Sequence, residues 1–359
     1  MKRTMEHSRT QAAWAAGAAV VLCLAVAVDA QARDLTVATW GGAQEKAHKE
    51  VMGPPFTKEK GIPVVYTTWN GTISYIRGQV QTKSVSTDVY PNNPWDVVAG
   101  CDEGLFEKLD PKELGVDPKD LYEGAIEPCG VATEIWSYLW GWNGDRHPEW
   151  TEKTGPQGVK DAFDLNKFPG RRGLRKRVYT TLEFGALADG ISRGDIYKVL
   201  ATPDGVKRAY AKLDTIKKNT LFADAMPQMP PALVAGEVDL AVIVNTHWYN
   251  AVVHEKKNFR VSFNDQVYSY NMWTIPKGSP MLKEAKVLLA YMMQPRKMAD
   301  VANLVAYPPA SKSALAMVNP DVRKNLATAH FKDELYVSGI FWAERLDSYT
   351  KEFQTWLAQ

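Results

Sequence analysis

Residues 131–143, VATEIWSYLWGWN, form one long apolar and aromatic run. Ordinary strands hold roughly 3–10 residues, so this run is too long for one ordinary strand. It reads instead as a segment that crosses between two lobes. YSYNMWTIP (268–276) is a second long aromatic strand of the same kind. The chain has 359 residues, and at about 150 residues per domain that length suits two units.

Between these segments runs an α/β pattern. LTVATW (35–40) is a short apolar strand, and Gly41-Gly42 opens a helical stretch that breaks before Pro54-Pro55. IPVVYTTW (62–69) is a second strand, followed by a helix with Ile73, Ile76 and Val80 on one face. WDVVAG (95–100) reads as a third buried strand. Strand, glycine turn, helix, strand is the βαβ order of a mostly parallel sheet. The second half repeats it. LEFGALADG (182–190) is a helix ended by Gly190, and 204–218 is an amphipathic helix opened by Thr202-Pro203. GEVDLAVIVN (236–245) is a turn and a buried strand. Helices follow at about 281–293, 296–304 and 340–358, the last carrying Ile340, Phe341, Leu346, Tyr349, Phe353 and Trp356.

The first 32 residues read as a cleaved secretory leader rather than as fold. Lys2, Arg3 and Arg9 precede an apolar run from Ala12 to Val28, and Ala30-Gln31-Ala32 is a cleavage signal. An exported chain starting near Arg33 meets an oxidising space, where Cys101 and Cys129 form a candidate disulfide pair. With 43 basic against 41 acidic residues the chain lacks the surplus that phosphate contacts demand, so no nucleic-acid partner is expected.

Motifs for chemistry are few. Gly190-Ile191-Ser192-Arg193-Gly194 spells G-x-S-x-G, but a nucleophile elbow needs a strand before its serine and a helix precedes this one. Gly190 reads better as a C-cap and Ser192 as the next N-cap. His247 and His254 stand seven apart without nearby carboxylates, so no metal site is assigned. Phosphate-binding glycine motifs are absent, and no cofactor is expected. Arg171, Arg172, Arg175, Lys176 and Arg177 form a basic cluster that is either a solvated loop or an anion clamp.

Three features could instead build a binding site. Trp40-Gly41-Gly42 sits where a strand ends and a helix begins, the place where open α/β sheets take ligands. Glycines there let a ligand approach the backbone, and helix N–H groups can receive a carboxylate. Gly100-Cys101-Asp102 occupies the equivalent position after the expected third strand. Tyr138, Trp140, Trp248, Tyr270 and Trp273 lie on or beside the crossing segments. Twelve Trp, fifteen Tyr and eleven Phe exceed what a core of this size needs, so some are expected to line a cleft.

Several motifs in order carry a resemblance: W-G-G after the first strand, PFTKEKGIPVVY (55–66), WDVV (95–98), FDLNKFPGRRGLR (163–175), LEFGALADG (182–190), AYAKLDTIK (209–217), GEVDLAV (236–242) and WTIPKGSP (273–280). Together they resemble the periplasmic solute-binding proteins of ABC transporters, in the branch similar to spermidine/putrescine-binding proteins. The resemblance implies a type II two-lobe α/β fold, with lobe 1 at 33–138 plus 270–310 and lobe 2 at 139–269 plus 311–359. It implies a periplasmic monomer without catalysis, closing on one small organic solute and delivering it to an inner-membrane permease. Trp40, Gly41, Gly42, Cys101, Asp102, Tyr138, Thr181, Glu183, Asn245, Trp248, Tyr270 and Asn271 are the ligand-contact candidates it leaves. Asn271 stands where polyamine binders often carry Asp, and Val244 where they carry a Trp. Glu183, Asp102 and Glu134 remain as amine partners, so a polyamine and a shorter amine or zwitterion both stay open. In the zwitterion case the carboxylate would lie at Gly41-Gly42 or at the 175–177 cluster. The alternatives are a ferric-ion or carboxylate receptor of the same fold, or an exported hydrolase using Ser192.

Overall fold

The computed structural model describes residues 33–69, 71–332 and 334–359; the expected leader at 1–32 lies outside the described residues. Among the described residues no helix is long and apolar enough to cross a membrane.

Among the described residues ten strands build the sheets: β1 Leu35–Thr39, β2 Val64–Thr68, β3 Tyr90–Asn92, β4 Ile126–Glu127, β5 Gly130–Asn143, β6 Arg172–Arg175, β7 Thr220–Ala223, β8 Leu240–Val244, β9 Phe259–Thr274 and β10 Leu335–Tyr336. The long aromatic run is one strand. β5 spans 14 residues, every one buried, and pairs antiparallel with the 16-residue β9. The larger sheet runs β10-β9-β5-β8-β6-β7. The parallel pairs (β10 with β9, β8 with β6, β6 with β7) thus flank an antiparallel centre, and β1 with β2 makes a separate parallel pair.

This central ribbon serves two hydrophobic cores. Val131, Ala132 and Ile135 of β5, with Tyr270, Met272 and Trp273 of β9, belong to one core together with Leu35, Phe56, Ile76 and Leu288. Trp136 to Trp142 of β5, with Val267 of β9, belong to the other, with Leu182, Leu213, Ile243 and Trp342. A third passage lies at 305–310. There Ala310 N donates to Thr133 O and Ile135 N to Pro308 O, and Asn245 Nδ2 donates to Ala306 O at 3.1 Å.

The helices follow the apolar periodicity. The Gly42–Met52 helix buries Gln44, Ala47, His48 and Val51, one stripe at i, i+3, i+4 and i+7. Pro203–Lys217 opens on Pro at its first position, with the Thr202 hydroxyl accepting from Gly205 N, and buries Val206, Ala209, Tyr210, Leu213 and Ile216. Gly339–Ala358 is capped by Ser338 and buries Phe341, Trp342, Phe353 and Trp356. Ile340 is turned out to solvent, 62% exposed.

One expectation is overturned. WDVVAG is not a strand but the body of a helix, Pro94–Asp102. Pro94 stands at its first position, where a missing N–H costs nothing, and its fixed φ favours the helical turn. A short apolar run cannot reveal its own period, and the third strand is instead the brief β3 just before it. Gly100-Cys101-Asp102 therefore ends a helix and does not follow a strand.

Cys101 and Cys129 are joined, with Cα atoms 5.7 Å apart and a sequence separation of 28. The bond pins the end of that helix to the start of β5. Closing a loop of this length restrains the unfolded chain by about 3 kcal/mol. Replacing both cysteines by serine is expected to lower the unfolding free energy by about that amount in a urea titration, and dithiothreitol should reproduce the loss in the native sequence. Equal midpoints with and without reductant would show that the bond contributes nothing.

Candidate ligand site

The basic cluster separates into three fates along a few residues. Arg172 is fully buried and structural: its guanidinium donates to the carbonyls of Ala162, Gly170 and Phe168. Arg171, Lys176 and Arg177 are exposed. Arg175 differs from both. It ends parallel strand β6, where α/β sheets present ligand groups, and it is half-buried.

Its side chain is framed by aromatic rings. Nη1 donates to Tyr138 Oη at 2.8 Å, and the guanidinium carbon stands 5.3 Å from the centre of the Tyr179 ring. Nε is buried without a hydrogen-bond partner among the described residues. Burial works against the charge, but Tyr138 and Tyr179 more than offset it and push the pKa further up. The result is a permanent cation with a donor to spare, suited to a carboxylate.

The backbone beyond Arg175 is held in an unusual turn. Thr180, buried and β-branched, has φ 67° and ψ −36° inside the first turn of the Val178–Ala188 helix. A β-branched residue there is a true outlier, and such strain collects at ligand clamps. Thr181 Oγ1 closes the turn by donating to Arg175 O at 3.1 Å.

The Pro94–Asp102 helix supplies the facing side. The Trp95 ring lies 4.5 Å from the Tyr179 ring, centre to centre, and Trp136 lies 5.0 Å from Tyr138. Asp96, in the first turn of that helix, accepts from Asn93 Nδ2 at 3.2 Å. Burial raises its pKa to about 6, against the pull of Asn93. Asp96 follows Trp95, whose ring packs on Tyr179. A guanidinium and four aromatic rings thus gather from β5, β6 and two helices, with the Asp96 carboxyl on the helix that carries Trp95. Such a set can grip a small molecule bearing both charges.

The other expected contacts have different surroundings. Trp40 is half-buried against Gly71, with Nε1 buried and unpartnered among the described residues. Gly41 and Gly42 have φ 78° and 61°, a turn that other residues resist. Glu45 stands in the first turn of the following helix and accepts from Thr39 Oγ1; its charge opposes a solute carboxylate at that end.

Of the three expected amine partners, Asp102 is exposed. Glu134 pairs with His48 and also accepts from Gln44 and Asn271. Glu183 is fully buried, accepting from Trp342 Nε1 at 2.6 Å and from Tyr197 Oη at 3.1 Å. Asn245 accepts from Ser137 N and donates to Ala306 O, bracing the passage between cores. Tyr270 donates to Glu123 O, Trp248 to Phe259 O, and Cys101 is in the disulfide. Ser192 is exposed, its hydroxyl bonded to Asp195. Asp96, Trp95 and Tyr179 were missed from sequence; the one available signal was Asn93-Pro94, which starts the helix that carries two of them. Among the described residues no group of three His, Cys, Asp or Glu side chains could hold a metal ion.

A family model described as bacterial extracellular solute-binding protein matches residues 52–329. A γ-aminobutyric acid-binding protein of Pseudomonas aeruginosa is 34% identical over 340 residues, covering 94% of this chain and 95% of the relative. Among solved structures, the periplasmic binding protein MotA of A. tumefaciens B6, in complex with glucopine, is 27% identical with a TM-score of 0.79, covering 90% of this chain and 100% of that one. The spermidine/putrescine ABC transporter substrate-binding protein of Streptococcus pneumoniae shares the fold at a TM-score of 0.69 and 16% identity, covering 90% and 99%. With its type II two-lobe α/β fold, the chain belongs to the bacterial extracellular solute-binding proteins, the substrate-binding receptors of ABC importers.

Proposed function

We propose that this chain is a periplasmic receptor for a short ω-amino acid, of the γ-aminobutyric acid type. It holds the solute carboxylate on Arg175 and the solute ammonium on Asp96, between the rings of Trp95, Trp136, Tyr138 and Tyr179. The observation that carries this reading is Arg175 itself, an aromatic-framed cation whose buried Nε has no partner among the described residues. A polyamine offers that cation nothing but repulsion, whereas a carboxylate supplies the missing acceptor. The ligand of the Pseudomonas aeruginosa relative supports the choice.

Magnitudes agree. A micromolar solute needs about 8 kcal/mol. Two charge-assisted hydrogen bonds at about 1.5–3 kcal/mol each leave a balance for the ammonium–carboxylate contact, stacking and water expelled as the lobes close. In this reading lobe 1 spans 33–138 plus 270–310 and lobe 2 spans 139–269 plus 311–359. The protein acts as a monomer, performs no chemistry on its cargo and passes it to an inner-membrane permease. A leader at 1–32 exports it.

Calorimetry with γ-aminobutyric acid, 5-aminovalerate, butyrate, putrescine and spermidine tests the reading. The two ω-amino acids should bind; putrescine binding more tightly than either would overturn it. Asp96 gives a sharper check. An ammonium needs the ionised carboxylate, so affinity should be flat above pH 7 and fall as pH drops through about 6. Asp96→Asn should cost about tenfold at pH 7.5, as expected for one charge-assisted bond, and should flatten that pH profile.

A further inference from the structure

We infer that Glu183 is a positioning residue for the solute site: its buried carboxyl joins the strained Tyr179-Thr180 turn to the start of the C-terminal helix, fixing where Tyr179 and Trp95 stand around Arg175. The inference rests on the placement of the solute at Arg175 and adds a residue that touches no solute. Glu183 is fully buried on the helix that begins with that turn. Its Oε1 receives Trp342 Nε1 and stands 3.1 Å from Tyr197 Oη, whose one proton it shares with Tyr336 O at 3.0 Å, while Oε2 is buried with no hydrogen-bond partner within bonding geometry among the described residues. Burial pushes its pKa up to about 7, against the pull of Trp342, Tyr197 and the backbone amides of Thr180 and Glu183.

From Oε1 two routes lead back to the site. Trp342 packs edge-on against Tyr179, ring centres 6.3 Å apart, and Tyr179 in turn meets Trp95 and Arg175. Tyr197 Oη accepts from Ser338 N at 3.0 Å, at the cap of the Gly339–Ala358 helix. Gly339 lies so close to Pro94 that an added Cβ would stand 2.8 Å from the Pro94 side chain. Pro94 begins the helix that carries Trp95 and Asp96. One carboxyl therefore braces both sides of the aromatic frame. A carboxyl buried this completely is costly, and local rules broken at such cost are found at functional sites.

The test measures γ-aminobutyric acid affinity of the folded fraction by calorimetry for the native protein, Glu183→Ala, Glu183→Gln and Tyr197→Phe. Near-UV circular dichroism of each solute-free protein is read in parallel. Glu183→Ala should lose about tenfold or more in affinity and alter the near-UV spectrum. Glu183→Gln, which keeps the acceptor, should stay within about threefold. Tyr197→Phe, a milder change that answers even where Glu183→Ala does not fold, should lose about three- to tenfold. Native-like affinity and spectrum in Glu183→Ala or Tyr197→Phe would overturn the inference while leaving the solute assignment intact. A native protein that ignores every ω-amino acid would instead defeat that assignment, and an unchanged near-UV spectrum would then still defeat the role of Glu183.

Discussion

Arg175→Ala should bind γ-aminobutyric acid at least about thirtyfold more weakly than the native protein, with no loss of fold. Truncating one partner of a buried, hydrogen-bonded charge pair costs about 2–5 kcal/mol, or about thirtyfold to several thousandfold. Much of that cost is the solute carboxylate left unpaired in a closed, water-poor cleft. The free protein should tolerate the change, because the side chain of Arg175 makes one hydrogen bond to the described residues, to Tyr138 Oη. Arg175→Lys keeps the charge but not the planar fork or the stacking on Tyr179, so it should fall between native and alanine. Calorimetry gives the affinities and thermal unfolding the fold control. Binding within threefold of native in Arg175→Ala would move the carboxylate elsewhere, with the Trp40 turn next to be tested.

Much of the scaffold was legible because long periodic segments announce themselves. The aromatic run at 131–143 is too long for an ordinary strand, and the structure makes it the 14-residue β5, with residues in both cores. The 203–217 helix displays its cap, its proline and its apolar stripe in order. The site was legible only in outline. Arg172 and Arg175 look alike in sequence, but three residues apart on a strand they point to opposite faces. One face meets loop carbonyls and the other the tyrosines. The carboxylates are ambiguous in sequence for a similar reason. Glu134, Glu183 and Asp102 each sit in a plausible segment, yet the first two are engaged by His48 and Trp342, partners remote in sequence. Asp96 was hidden inside a run read as a strand. A charge is assigned by what surrounds it in space, and no spacing rule supplies that.

His48→Ala should be the most destabilising single substitution considered, by about 3–5 kcal/mol at pH 7, the usual cost of leaving a buried carboxylate without its partner. His48 Nε2 pairs with Glu134 Oε1, while Gln44 Nε2 and Asn271 Nδ2 donate to Oε2 at 2.8 and 3.2 Å. Both members are essentially excluded from solvent. Burial works to raise the Glu134 pKa, but the charge and hydrogen bond of His48, aided by Gln44 and Asn271, hold it below the ordinary 4.5. In the native protein this pair therefore contributes stability above pH 4.5 that is lost as pH falls through the lower folded value. Removing His48 reverses the sign. Burial then prevails, the Glu134 pKa rises above its unfolded value, and stability is greatest at low pH and lost as pH rises through the new value. His48→Ala should consequently lie closer to native at pH 5 than at pH 8, which a simple cavity would not produce. Adding Glu134→Gln to His48→Ala should restore most of the loss at pH 8, since no buried charge then remains. Thermal unfolding of the three proteins across pH 5–8 decides it: parallel curves would mean that the pair acts by packing alone. The consequence extends to the cleft, because the same Gln44 that donates to Glu134 accepts from Trp40 N at 3.2 Å. A loosened pair should therefore also loosen the turn at the end of β1.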